Sequence, residues 1–161
     1  MTDGIFILLG SNLGDRRKNV EDSLILIKKR VGAILKMSSL YETAPWGVPD
    51  QPRFLNMVIE IESVLNPQDL LSSLLEIEDQ LGRVRKTKWG ERLIDIDILY
   101  YGNVIIKEKN LILPHPEIQN RRFTLIPLVE IAPSSLHPIL KKSNIELLSS
   151  CTDKLEVTIL Q

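Results

Sequence analysis

Trp89-Gly90-Glu91-Arg92-Leu93-Ile94-Asp95-Ile96-Asp97-Ile98-Leu99 places an arginine just ahead of a run in which isoleucine and aspartate alternate. Side chains alternate between faces along a β-strand, so Asp95 and Asp97 project together while Ile94, Ile96 and Ile98 bury on the other side. The two acids are then about 7 Å apart at the backbone, close enough for their oxygens to share one or two hard cations. Oxygen-only ligation suits Mg²⁺ far better than zinc or copper. Without a cation the neighbouring carboxylates repel and one tends to take up a proton. Arg92 adds a planar five-donor fork matched to phosphate oxygens. Asp-x-Asp alone also fits an ordinary half-buried strand with a solvated acidic face, so the neighbours decide.

Outward from that strand, the upstream chain supplies five more elements. Ile5 to Leu9 is a short apolar run ending in Gly10-Ser11-Asn12, a buried strand entering a structural turn; it lacks the lysine and spacing of a Walker A phosphate loop. From about Asp15 to Val31 the period changes, with Val20, Leu24, Ile27 and Val31 at helical spacing and Gly32 as the stop. Ile34 to Thr43 reads as a second strand. Ala44 to Pro52, with three prolines and a glycine, is a long loop. Phe54 to Glu62 alternates cleanly: Leu55, Met57, Ile59 and Ile61 face the helices, while Phe54, Asn56 and Val58 face away. Asn66-Pro67 is an N-cap and first helical residue, and Leu70, Leu74, Ile77 and Leu81 follow at helical spacing before Gly82. Arg83 to Arg92 carries five cations and one anion and reads as a positively charged lid over a metal-bound polyphosphate.

Strand, helix, strand, strand, helix, strand is the ferredoxin-like β-α-β-β-α-β order, an α+β fold whose antiparallel sheet has both helices on one face. The opposite face is then expected to be free for a site, where Phe54, Asn56, Asp95 and Asp97 meet. C-terminal additions follow: a short strand at Leu111 to Leu113, a rigid Pro114-His115-Pro116 turn, a helical run from Phe123 to Ile131, a short helix at Ile145 to Ser150 and an edge strand at Leu155 to Leu160. His115, held between prolines near Arg121, is placed to donate to a phosphate oxygen. His137 reads as structural. Phe54 and Phe123 could sandwich a flat heterocycle whose edge Asn56 reads with its adjacent donor and acceptor.

At 161 residues the chain is expected to form one domain, residues 1–161, with its own core. A composition 43% hydrophobic and 25% charged disfavours disorder and coiled coil. The formal net charge of −1 argues against nucleic acid as a partner, so any phosphate must be met locally. Cys151 is the single cysteine and has no internal disulfide partner. Met1-Thr2-Asp3-Gly4 lacks a basic signal start, and no apolar run approaches the roughly 20 residues of a membrane span. A cytoplasmic protein without membrane contact, monomeric or a weak homodimer, is expected.

The run Lys88 to Leu99 resembles the signature of the 6-hydroxymethyl-7,8-dihydropterin pyrophosphokinases of folate biosynthesis. Gly10-Ser11-Asn12-Leu13, Tyr41-Glu42-Thr43, Gln51-Pro52, Phe54-Leu55-Asn56, Gly82-Arg83-Val84-Arg85, Pro114-His115 and Asn120-Arg121 with Phe123 follow in that family's order and approximate spacing. Ala44 stands where that family often has proline, as does Glu91. The resemblance implies transfer of pyrophosphate from ATP to the hydroxymethyl group of a reduced pterin, releasing AMP, with ATP and the pterin as partners. It implies two Mg²⁺ ions on Asp95 and Asp97 and a pterin pocket of Thr43, Ala44, Trp46, Phe54, Asn56 and Phe123. Around ATP it implies Glu78, Arg83, Arg85, Trp89, Arg92, Ile98, Ile112, His115 and Arg121. Arg83 and Arg92, with Asp95 and Asp97, are the implied catalytic set. Two rivals are weaker. A nucleotidyltransferase would need its Gly-Ser element near the aspartates, and an RNA-binding module has no use for paired metal-binding acids.

Overall fold

The computed structural model describes residues 2–44, 52–82 and 93–160. Strand β1 (Thr2–Ser11) is apolar without alternation because both its faces are covered. Ile5, Ile7 and Leu9 enter one core and Phe6 and Leu8 another, and all five are buried. Both edges of β1 are paired antiparallel, to β4 (Phe54–Ser63) and to β5 (Asp95–Tyr101). With β2 (Ala33–Met37), β3 (Tyr41–Thr43) and β8 (Val157–Ile159) they form an antiparallel sheet in the order β5-β1-β4-β3-β8, with β2 also on β4.

The first core lies under helices α1 (Arg16–Arg30) and α2 (Pro67–Gly82), as the 3.6-residue spacing requires. The Asp15 carboxylate caps α1 by accepting from Lys18 N–H at 3.1 Å, and Lys28, Lys29 and Arg30 complement the dipole at its end. Asn66 caps α2 through Asp69 N–H at 2.8 Å. Val20 and Ile27 of α1 and Leu70, Leu74 and Ile77 of α2 pack on Leu55, Ile59 and Ile61 of β4 and Ile96 and Ile98 of β5. Truncating Leu74, which is fully buried, would cost about 2–5 kcal/mol. These elements make the expected β-α-β-β-α-β unit, with both helices on one face.

Two expectations need correction. The run from Ile34 to Thr43 is two strands, β2 against Ile59 to Glu62 and β3 against Phe54 to Asn56. The break is at Ser38, whose N–H donates to Val58 O at 2.9 Å while its hydroxyl accepts from Val58 N–H at 3.0 Å, so a side chain takes over a ladder bond. The face opposite α1 and α2 is also not free. Helices α3 (Arg122–Ile131) and α4 (Asn144–Ser150) pack there through Leu125, Leu128 and Leu147 against Phe6, Leu8, Val58 and Leu99. Apolar residues on both sides of β1 require such cover, which helical patterning upstream of Gly82 does not reveal. The uncovered remainder of that face is the end that carries Asp95, Asn56 and Phe54.

Polar ties lock these additions. Buried Asn144 donates to Ala132 O at 2.7 Å and accepts from Tyr100 Oη–H at 2.8 Å. Burial pushes the Tyr100 phenol pKa upward. Glu130, on α3, accepts from Ser39 N–H, the Ser39 hydroxyl and the Tyr41 hydroxyl, each at 2.8 Å, fastening the helix to the start of β3. Burial raises the Glu130 carboxyl, but those three bonds outweigh it and hold the group below its usual range. Desolvation, with the bond to Glu130, pushes Tyr41 up to about 12. A hairpin of β6 (Ile106–Lys107) and β7 (Ile112–Leu113) and a 3-10 turn at Ile118–Asn120 complete the chain. No helix among the described residues is long and apolar enough to cross a membrane.

Candidate active site

Alternation on β5 works as the sequence requires: Ile94, Ile96 and Ile98 are buried in the helix-side core, and Asp95 and Asp97 are half-buried on the other side. Opposite them on β1 lie Gly10, paired with Asp95, and Leu8, paired with Asp97. Gly10 is also opposite Asn56 on β4. A β-carbon at Gly10 would sit 2.8 Å from Asn56 Nδ2, so this position is glycine to give the amide room. Asn56 is buried; its Nδ2 donates to Leu9 O at 3.4 Å and its Oδ1 accepts from the Thr43 hydroxyl at 3.4 Å. Both bonds are long, so the amide is oriented but weakly committed to the protein.

These side chains line a cleft of about 620 Å³. Thr43, Ala44, Phe54 and Asn56 line it from the β3–β4 end of the sheet, and Asp95 and Asp97 from β5. Glu117, Asn120, Arg121 and Phe123 form the side contributed by the 3-10 turn and the start of α3. The Arg121 guanidinium lies over the Phe123 ring, 5.6 Å from its centroid, and Asn120 Nδ2 donates to Glu117 Oε2 at 3.0 Å. A smaller cleft of about 230 Å³ is lined by Leu71, Ile96, Asp97, Ile98, Lys109, Asn110, Leu111, Ile112, His115 and Pro116. Asp97 belongs to both clefts.

Backbone and buried side chains fix this junction from below. Glu78, on the last turns of α2, is buried and accepts from Ile96 N–H at 2.7 Å, holding β5 at the residue between the two acids. The Ser11 hydroxyl donates to Leu93 O at 2.5 Å, and Asn19 Nδ2 donates to Leu13 O at 2.8 Å and to Ser11 Oγ at 3.1 Å. His115 N–H donates to Leu99 O at 2.9 Å, and its Nδ1 accepts from Glu117 N–H at 3.1 Å, which leaves the proton on Nε2. Burial pushes the His115 pKa below its ordinary value; Arg121 acts in the same direction, and Asp97 and Glu117 oppose it.

The structure therefore brings together in the larger cleft Thr43, Ala44, Phe54, Asn56, Asp95, Asp97, Arg121 and Phe123 of the residues singled out from sequence. Ile98, Ile112 and His115 line the smaller one. Glu78 lines neither cleft and lies beneath β5. Trp46, Arg83, Arg85, Trp89 and Arg92, and the lid reading of the basic loop, lie outside the described residues. Sequence reasoning missed Leu8, Gly10, Glu117 and Leu155 as lining residues, and gave Asn120 only as part of the family's motif. Glu117 and Asn120 sit between His115 and Arg121, a polar cluster that could have been read; Leu155 carried no local signal. Among the described residues no group of three or more His, Cys, Asp or Glu could alone hold a metal. A pair of carboxylates suits Mg²⁺, which keeps waters and takes substrate phosphates as ligands.

The family model for 7,8-dihydro-6-hydroxymethylpterin-pyrophosphokinase matches residues 6–133. The 2-amino-4-hydroxy-6-hydroxymethyldihydropteridine pyrophosphokinase of Bacillus subtilis is 43% identical over 132 residues, covering 81% of this chain and 79% of that protein. The enzyme of the same name from Aquifex aeolicus is 40% identical over 138 residues, 86% of each chain. Among solved structures, the wild-type HPPK-DHPS of Plasmodium falciparum superposes with a TM-score of 0.77 at 17% identity over 92% of this chain, a likeness of fold. This chain spans 44% of that longer polypeptide.

Proposed function

The chain belongs to the 7,8-dihydro-6-hydroxymethylpterin-pyrophosphokinase family, and on that premise we propose how its own side chains divide the work of moving pyrophosphate from ATP to 6-hydroxymethyl-7,8-dihydropterin in folate synthesis. The observation that carries the assignment is that Asp97 lines both clefts. A transfer between two substrates needs the donor in one site, the acceptor in another, and the reacting atoms at their boundary.

In this reading the larger cleft takes the pterin. Phe54 and Phe123 cover its ring faces, and the Asn56 amide, turned by Thr43 and given room by Gly10, offers a donor and an acceptor to the ring edge. The smaller cleft takes ATP, between the aliphatic side chains of Ile98 and Ile112 and the His115 imidazole, whose Nε2–H donates to a phosphate oxygen. Arg121 reaches the triphosphate from the larger cleft. Asp95 and Asp97 would hold Mg²⁺, two ions by the family resemblance. When bound, the metal would supply positive charge to neutralise the triphosphate. The pterin hydroxyl oxygen forms a bond to the β-phosphorus as the bond from that phosphorus to the α–β bridging oxygen breaks. AMP leaves with the electron pair, and the hydroxyl proton goes to solvent or a bound base. Glu78 acts by holding β5, and Trp46, Arg83, Arg85, Trp89 and Arg92 are assigned by the family resemblance alone.

The test is product identity. Incubated with Mg²⁺, ATP and hydroxymethyldihydropterin, the protein should give AMP and pterin diphosphate in equal amounts. ADP, or free pyrophosphate, as the main product would overturn the assignment.

A further inference from the structure

The C-terminal segment after α4 lies beyond the residues 6–133 matched by the family model. It returns to the site by two routes, which Asp153 ties together. Strand β8 pairs antiparallel with β3, setting Val157 opposite Thr43, so that Leu155, two residues earlier, reaches the Thr43–Ala44 edge of the larger cleft and lines it. Asp153 Oδ2 accepts from Arg122 N–H at 3.0 Å. Asp153 Oδ1 accepts from Leu155 N–H at 3.0 Å.

The Arg122 bond matters because α3 lacks a cap of its own. Its N-cap residue is Arg121, which makes no side-chain cap bond, so the first helical N–H is satisfied by the carboxylate of Asp153, 31 residues along the chain. Negative charge is favourable at that end of a helix. The turn so capped carries Phe123, with Arg121 stacked on it. One carboxylate therefore fastens two walls of the same cleft, the aromatic wall at Phe123 and the aliphatic wall at Leu155.

We propose that Leu155 is a specificity-determining wall of the pterin cleft and that Asp153 is its positioning residue, setting Leu155 and Phe123 at a fixed separation for a flat heterocycle. The proposal rests on the assignment of the larger cleft to the pterin. Removing Leu155 takes apolar contact from the acceptor but leaves the acid pair and the smaller cleft unchanged. Removing the Asp153 carboxylate frees the α3 cap and the tail together. Both changes weaken pterin binding selectively.

The test titrates hydroxymethyldihydropterin into full-length protein holding Mg²⁺ and a non-hydrolysable ATP analogue, alongside nucleotide titrations and steady-state rates. Leu155→Ala and Asp153→Ala should each raise the pterin Kd about tenfold, the usual scale for losing a few apolar contacts in a binding pocket. Asp153→Asn, which keeps one acceptor oxygen, should fall between Asp153→Ala and the unaltered protein. The kcat at saturating pterin and the nucleotide Kd should stay within about twofold, a split that loss of uniform binding produces and general destabilisation does not. Leu155→Ala removes no hydrogen bond, so it remains decisive if Asp153→Ala folds poorly. A pterin Kd for Leu155→Ala within about twofold of the unaltered protein, in an enzyme that makes pterin diphosphate, overturns this proposal and leaves the functional assignment standing. Failure of the unaltered protein to make pterin diphosphate removes both.

Discussion

Gly10→Ala probes the site with a single methyl group. The backbone at Gly10 does not occupy the left-handed region, so alanine meets no conformational penalty there, and the effect arises from space alone. The new β-carbon would lie 2.8 Å from Asn56 Nδ2, closer than carbon and nitrogen tolerate, and the amide must turn or retreat. Asn56 is 4% exposed, and its two bonds, at 3.4 Å each, are too weak to hold it in place. With the pterin in the larger cleft as proposed, the displaced amide would present its donor and acceptor wrongly to it. Losing a neutral hydrogen bond costs about 0.5–1.5 kcal/mol, and stranding a buried polar group about 1–3 kcal/mol. The pterin kcat/KM should therefore fall by about 10- to 100-fold, with the nucleotide KM unchanged. Steady-state kinetics with each substrate varied in turn reads this directly. The same substitution made in an Asn56→Ala background should have almost no further effect, because the atom it displaces is gone. If Gly10→Ala leaves the pterin KM and kcat unaltered, or costs as much without Asn56 as with it, the reasoning fails.

Asn144→Ala strands both the Tyr100 hydroxyl and the Ala132 carbonyl, and should cost about 3 kcal/mol by denaturant titration while leaving turnover per folded molecule unchanged at low temperature. His137 bears on pH. Burial pushes its pKa below 6.5, and its Nδ1 accepts from Ile139 N–H at 3.2 Å and Leu140 N–H at 3.0 Å, so protonation breaks both bonds. Between the lowered folded value and the ordinary value of 6.5, the unfolded chain binds more protons, so stability rises with pH across that window. The contribution is complete above 6.5 and lost as pH falls through the folded value; His137→Gln should flatten part of this slope in melting curves, and an unchanged slope would contradict the assignment.

The acid pair was legible because strand alternation is local: Ile-Asp-Ile-Asp-Ile needs no partner to be read. The same holds for Phe54 and Asn56, displaced from the apolar set of their strand, and for α2, whose cap and spacing lie within its own segment. Cover from α3 and α4 was not legible, because it depends on which side of β1 a distant helix fills; continuous apolar residues say only that both sides are filled. Splitting of the second strand turns on one hydroxyl, that of Ser38, replacing a ladder bond to Val58, and serine carries no such signal in isolation. Gly10 reads as turn chemistry beside Ser11 and Asn12, whereas its cause is an amide on another strand. Leu155 reaches the cleft through pairing of β8 with β3, more than a hundred residues away, and Asp153 is tied to Arg122, 31 residues away, neither of which any periodicity encodes.

In the proposed function, transfer takes place at the boundary between the two clefts, beside Asp97. The most direct measurement is a single turnover of γ-labelled ATP with Mg²⁺ and hydroxymethyldihydropterin, by the unaltered protein and by Asp97→Ala, with folding followed by circular dichroism and thermal melting. Label should pass into pterin diphosphate in step with AMP in the unaltered protein. In Asp97→Ala it should stay in ATP while the spectrum and melting temperature are retained, because the side chain faces the clefts and not the core. Transfer that persists in folded Asp97→Ala, or loss of transfer only in step with unfolding, would contradict the account.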